Sequence, residues 1–298
     1  MMRRYKVSGV IVLLAFISVF CLSSCKTKTY EIHEVGKTIT GADPTASIYQ
    51  IEAYVYNIYI GLTGRKPTQS EFYAARQALI NSQANRVARG SFIRQVVYMD
   101  EFYYNLYNLM RKDLMEDADT SEIREEYQDA VARSTDTTYQ SAWPKYAEMK
   151  KQYEDIINIP NDLKATNIGM TGLYRRGTDN DIYDQINMGS ENFVVSCFTF
   201  YLGRYPTLEE LDQSKKMVDS RQAVLFLQNG ANKQDFMNIF FSSPHYKEGV
   251  IRRLFKRFLY RDPSAAELER YLVNLAEDKA YQELFVALFS SDEYYRQQ

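Results

Sequence analysis

Three times the chain places an arginine six residues ahead of a glutamate, in the frame Arg-x-Pro-[Thr/Ser]-x-x-Glu. The copies are Arg65, Pro67, Thr68 and Glu71; Arg204, Pro206, Thr207 and Glu210; and Arg261, Pro263, Ser264 and Glu267. Such arginines have the chemistry to grip a phosphate or a carboxylate, and such glutamates to work as acids or bases. Their positions argue for a different use. The proline stops a helix and pushes the residue before it towards extended backbone. The hydroxyl residue after it is a helix N-cap, and the glutamate three residues later closes a capping box. Arginine at the end of the preceding helix is favoured by the dipole and within reach of orphan carbonyls. The phrase is expected to be a joint between two helices, and a carboxylate committed to a cap is not free for acid–base work.

Other reactive groups are sparse. His33 and His245 are the two histidines, and both are expected to be solvated, so neither a histidine-rich metal site nor a Ser-His-Asp triad is expected. Cys197 shares its alignment column with Ile58 and Leu254 and reads as a core thiol. In "TDNDIYD", Asp179, Asp181 and Asp184 have a loose calcium-loop spacing without the central glycine and closing glutamate. No phosphate loop, Cys-x-x-Cys or haem-attachment motif occurs, so no cofactor and no metal are expected.

The elements that carry the three phrases follow from apolar spacing. Aligned on the arginines, the upstream columns are Tyr54, Val55, Ile58, Tyr59, Leu62; Phe193, Val194, Cys197, Phe198, Tyr201; and Val250, Ile251, Leu254, Phe255, Phe258. Each set is one broad helical stripe. Gly64 and Gly203 fit left-handed C-terminal caps, whereas Tyr260 fills that slot in the third copy, where the turn must differ or carry strain. Each copy closes with a second apolar helix ending in an aromatic plug: Phe102, Tyr246 or Tyr294. The predicted architecture is all-α, with three helical repeat units and a helical insertion. Residues 47–115 hold repeat one, 116–190 the insertion, and 191–298 repeats two and three, which abut. The insertion carries two charged helices and then a Gly-, Asn- and Asp-punctuated stretch from "PNDLK" to "GSEN" that reads as a long loop. Its tip, Tyr174, Arg175, Arg176 and the nearby Tyr183, is a basic-aromatic contact candidate for an acidic partner or a glycan.

"FVVSCFTFYLGRYPTLEE" and "FMNIFFSSPHYKEGVIRRLFKRFLYRDPSAAE" resemble the helical domain of phycobilisome linker polypeptides and related repeats of bacterial surface proteins. The resemblance covers about residues 51–107 and 191–295. It implies an α-helical scaffold that organises other proteins; the address read from the N-terminus speaks against membership of a pigment complex.

That address begins with "MMRRYK", a basic n-region, followed by the apolar run "VSGVIVLLAFISVF", too short for a comfortable membrane span. "LSSC" resembles a bacterial lipobox, which implies that residues 1–24 are a signal peptide, that Cys25 is lipidated, and that 25–46 is a flexible tether. Cleavage there removes three cations and no acid, taking the net charge from −2 to −5. Two or three acyl chains, at about 0.8 kcal/mol per buried CH₂, anchor a protein stably. Lys26 after the lipidated cysteine leans towards the outer membrane by the enterobacterial sorting rule. With 36 basic against 38 acidic residues, no nucleic-acid footprint is present. The expected function is that of a non-enzymatic, membrane-anchored scaffold or assembly lipoprotein of the bacterial envelope that binds another envelope protein. The alternative is a glycan-binding or carboxylate-based glycan-degrading envelope protein.

Overall fold

The structure is a computed structural model that describes residues 47–274 and 278–298. The expected signal peptide (1–24), the lipidation site Cys25, His33 and the tether up to residue 46 lie outside the described residues. Among the described residues the protein is all-α apart from one two-stranded hairpin.

Copy one is four helices: α1 (Ile48–Thr63), α2 (Gln69–Asn81), α3 (Arg86–Val97) and α4 (Asp100–Leu114). α1 starts where the Ser47 hydroxyl accepts from the amide of Gln50, and stops at Gly64, whose φ of 72° is the left-handed cap its sequence announces. The predicted stripe of Tyr54, Val55, Ile58, Tyr59 and Leu62 is buried along its whole length, and Ile51 extends it by a turn. The insertion follows as α5 (Thr120–Arg133), a 3₁₀ turn, α6 (Trp143–Ile157), α7 (Ile159–Lys164), α8 (Met170–Thr178) and α9 (Asp181–Ile186). α5 and α6 pack together as a helical hairpin through Ile123, Ala130, Tyr153 and Ile156.

Copy two opens with α10 (Ser190–Cys197), which runs on into a π turn over Phe198–Leu202 and ends at Gly203, φ 66°. α11 (Leu208–Val218) leads into the antiparallel strands β1 (Ala223–Leu225) and β2 (Gln228–Gly230), then α12 (Lys233–Ser242) and α13 (Pro244–Leu259). α13 belongs to two copies at once: its Tyr246 is the plug of copy two, and its later turns are the first helix of copy three. Copy three ends with α14 (Ala265–Asn274), α15 (Tyr281–Phe289) and α16 (Asp292–Arg296). Among the described residues the hairpin has no counterpart in the other copies, and periodicity does not announce it: three-residue strands are too short to register.

The described residues form one compact unit. Copies two and three share α13, and the core also joins copy one to copy three. α3 lies on α15, Tyr54 Oη donates to the carbonyl of Phe289 at 3.1 Å, and the buried Arg89 donates to the carbonyl of Ser290 at 3.0 Å while stacking on Tyr295. The plugs Phe102, Tyr246 and Tyr294 are all buried.

The insertion corrects one expectation. The stretch read as a long loop is helical, because its Gly and Asn residues cap short helices instead of spacing a coil. Gly169 precedes α8, Asn180 accepts from the amide of Tyr183 to start α9, and Gly189, at φ 87°, precedes α10.

Candidate functional site

Each Arg-x-Pro phrase folds into the same clamp. Thr68, Thr207 and Ser264 accept from the amides of Glu71, Glu210 and Glu267, and those carboxylates accept back from the cap amides at 2.7, 2.8 and 2.8 Å. The arginine then adds a fork. Arg65 meets both oxygens of Glu71 at 2.8 Å, Arg204 those of Glu210 at 2.7 Å, and Arg261 those of Glu267 at 2.9 and 2.6 Å. Each Nη1 also donates to the carbonyl of the residue after its own arginine: Lys66, Tyr205 or Asp262. The orphan carbonyls at the helix ends are therefore not the arginine's targets. The guanidinium above all holds each of the three carboxyls down, at about 2, against the desolvation that opposes it; the cap amides assist.

A third member distinguishes the copies. In copy one, Glu101 at the start of α4 accepts from Arg65 Nε at 3.1 Å and Nη2 at 2.9 Å. In copy three, Glu293 at the start of α16 accepts from Arg261 Nε at 2.6 Å and Nη2 at 2.5 Å. Copy two has His245 in that column, and its ring leans on Phe226 with centroids 4.8 Å apart. Among the described residues Arg204 Nε has no acceptor, and its guanidinium lies over Phe198 at 5.3 Å. Glu101, His245 and Glu293 fall in one column when the copies are aligned on their plugs, but nothing in the sequence ties that column to the arginines.

Beside the open clamp stands the hairpin. Its two-residue turn, Phe226 at φ 49° and Leu227 at φ 64°, has the positive φ values of a type I′ turn, which favours Asn-Gly. Left-handed backbone costs an ordinary L-residue roughly 1–2 kcal/mol. Phe226 is held by packing on Phe198, Phe240 and His245, whereas Leu227 is 96% exposed. Tyr205 and Leu208, on the clamp and the first turn of α11, are 75% and 89% exposed. Between the hairpin and that first turn runs a groove of about 420 Å³, floored by the clamp carboxylate Glu210 and walled by Val224 to Leu227.

The basic-aromatic tip of the insertion is not a free contact loop, and this corrects the reading of Tyr174, Arg175, Arg176 and Tyr183. Tyr183 is buried, its hydroxyl 2.8 Å from Ser196 Oγ. Tyr174 is half-buried against Tyr201 and under the Arg253 guanidinium. Arg176 donates to Asp162 at 2.6 Å and to the carbonyl of Asp155, and Arg175 to Gln234 at 3.1 Å. Arg175 and Arg176 do line a polar groove of about 440 Å³ with Lys151, Asp155, Asp179 and Gln234. Its cations and carboxylates are largely paired with each other: Asp155 with Lys151 at 2.7 Å, and Asp179 with Gln234 at 2.7 Å and Lys233 at 3.9 Å.

Cys197 sits in the core column as expected, fully buried, and burial pushes its thiol up to about 12. His245 is exposed at the edge of the copy-two clamp. Asp184 takes no part in a calcium loop: both its oxygens accept from Lys233 at 2.7 Å, and burial raises its carboxyl. Among the described residues no group of three or more His, Cys, Asp or Glu side chains is placed to hold a metal, and no helix is long and apolar enough to cross a membrane. Compared with known proteins, the chain matches no family model, no curated protein and no solved structure.

Proposed function

We propose that this protein is a non-enzymatic scaffold of the bacterial cell envelope, held at a membrane through Cys25, which docks a second envelope protein on the surface of copy two. The observation that carries this reading is Leu227. It is an apolar side chain at a hairpin tip, almost wholly exposed, in a backbone conformation that costs stability. Strain of that kind without any packing return inside the chain is accounted for if a partner covers the residue. Tyr205 and Leu208, on the clamp and the first turn of α11, are further exposed apolar side chains of the same copy. The resemblance to linker repeats that organise other proteins points the same way.

The test is isolation of the full lipoprotein from gently solubilised membranes, with co-purifying proteins identified by mass spectrometry. One stoichiometric envelope partner is expected with the wild-type chain. Leu227→Gly should lose that partner while making the protein more stable, so misfolding cannot explain the loss. A partner retained undiminished in Leu227→Gly and in Leu208→Asp would overturn the docking surface. Cys25→Ser should move the protein from the membrane fraction to the soluble one, and continued membrane fractionation would sink the anchor.

The glycan-binding alternative has one observation in its favour, the polar groove between α6 and α8. Its lining has no aromatic platform for a sugar face, and two of its three carboxylates, Asp155 and Asp179, already pair with a cation or an amide. The docking reading therefore takes precedence.

A further inference from the structure

The three clamps contain their own evidence about what copy two is missing. In copies one and three the outer edge of the guanidinium, Nε with Nη2, is filled by a carboxylate arriving from the helix that carries the plug. In copy two the inner half of the fork is the same, with Glu210 on both oxygens, but the outer edge has no occupant among the described residues. The Arg204 side chain is 41% exposed, somewhat more than Arg65 at 32% and Arg261 at 36%, whose edges are filled. His245, which replaces the acid, leans away onto Phe226.

We propose that the outer edge of Arg204 is a receptor for a carboxylate presented by a protein partner, an Asp or Glu side chain flanked by apolar residues that reach Leu208 and Leu227. This rests on the docking reading above and names its recognition chemistry. The ligand class is read from the protein itself, because the same edge twice binds a carboxylate when the chain supplies one. Side-on pairing with a planar guanidinium is directional and charge-assisted, which suits an arginine better than a lysine at this place. The neighbouring groove is lined by Glu210, whose two oxygens are already committed to Arg204, and by the exposed Glu209, so the docked acid must approach along the guanidinium edge and not through the groove. Apolar contact from Leu208 and Leu227 beside a charge-assisted bond is the combination of anchor and orienting group found in protein interfaces.

Two measurements on the full chain test this. The first follows the arginine Nε–H signals by NMR during titration with sodium acetate, using sodium chloride at equal ionic strength as the control. The Arg204 signal should move saturably with acetate and not with chloride, while those of Arg65 and Arg261 stay still because their edges are filled. His245→Glu should supply an internal carboxylate, shift the Arg204 signal towards the other two and abolish its response to acetate. An Arg204 signal that ignores acetate, or that responds equally in His245→Glu, overturns the receptor. The second places a photo-crosslinking residue at position 227 in cells. The expected adduct joins a partner peptide containing Asp or Glu, and its yield falls about tenfold or more in His245→Glu and in Arg204→Lys. An adduct unchanged by both substitutions leaves the docking surface standing and overturns the carboxylate receptor. Absence of any adduct from position 227 overturns both, and an adduct between two copies of this chain overturns the choice of a foreign partner.

Discussion

The first and third turns of this protein are closed and the second is open, although all three share one phrase. In the closed turns a guanidinium lies between two carboxylates, one from the cap and one from a helix that begins about thirty residues later: Glu71 and Glu101, then Glu267 and Glu293. In the open turn His245 stands where the second carboxylate is in the other two, and the connecting segment holds a hairpin with positive φ at Phe226 and Leu227. The same local code thus gives a finished joint twice and an unfinished one once. Beside the unfinished one, Tyr205, Leu208 and Leu227 are exposed.

The copies differ equally in how their first helix crosses the helix that carries the plug. In copy one the crossing is bridged by a side chain, Asn105 Nδ2 donating to the carbonyl of Gly61 at 3.0 Å. In copy two the equivalent position of α13 is Gly249, and the helices meet backbone to backbone. A methyl group there would fall 1.8 Å from the carbonyl oxygen of Tyr201, inside the π turn. Gly249→Ala should therefore have the largest effect, destabilising by about 2–3 kcal/mol in urea unfolding despite the gain in helix propensity. Asn105→Ala should cost about 1 kcal/mol, the value of one hydrogen bond. If Gly249→Ala is neutral, the close crossing is not a constraint on copy two.

Removing the cations comes next. Arg65→Met and Arg261→Met each strand two carboxylates, and Arg204→Met strands one. About 2 kcal/mol is expected for either closed clamp and about 1 kcal/mol for the open one, modest because all three sites are partly exposed. Equal losses in urea denaturation would mean that the second carboxylate contributes nothing.

The same pairs set an acid limit. The carboxyls of Glu71, Glu210 and Glu267 are held at about 2, below the ordinary 4.5, so their stabilisation is complete above about 4.5 and is lost as pH falls towards 2. The urea midpoint of the wild-type protein should fall across that window. A variant with all three glutamates changed to Gln should start lower and fall less. Parallel profiles would remove the clamps from the acid response.

Much of this was legible in the sequence because it is local. Apolar spacing located the buried stripe of α1, the Thr68–Glu71 and Thr207–Glu210 boxes announced two helix starts, and Gly64 and Gly203 marked left-handed stops. What was missed is mostly non-local. Arg65 to Glu101 and Arg261 to Glu293 are contacts across a whole copy, with no period to reveal them. The hairpin carries Phe-Leu where turn chemistry calls for Asn-Gly, so the usual signal was missing. The insertion was misjudged for a different reason: Gly169, Asn180 and Gly189 are loop residues by composition and helix boundaries by position. Of the contact candidates, Tyr183 is in the core and Tyr174 packs half-buried against it, whereas Leu208 and Leu227 are among the exposed apolar side chains.

The smallest predicted effect separates strain that serves packing from strain that does not. Tyr260 caps α13 at φ 56°, in the slot held by glycine in the other two turns, and its side chain is 85% exposed. Its left-handed backbone is imposed by the Arg261 clamp that follows, since both flanking elements are fixed. Tyr260→Gly removes a steric penalty and almost no packing, so it should stabilise by about 0.5–1 kcal/mol, reduced from the full left-handed cost by the greater freedom of glycine in the unfolded chain. Gly203→Ala is the mirror experiment. A methyl group there meets nothing within 4 Å, so only the backbone conformation opposes it, and a loss of similar size is expected. Gly64→Ala should cost more, because its methyl would lie 2.9 Å from Asn105 Oδ1. If Tyr260→Gly destabilises instead, the tyrosine ring has a contact that exposure alone does not reveal, and the third turn would join the second as a surface held ready for something outside the chain.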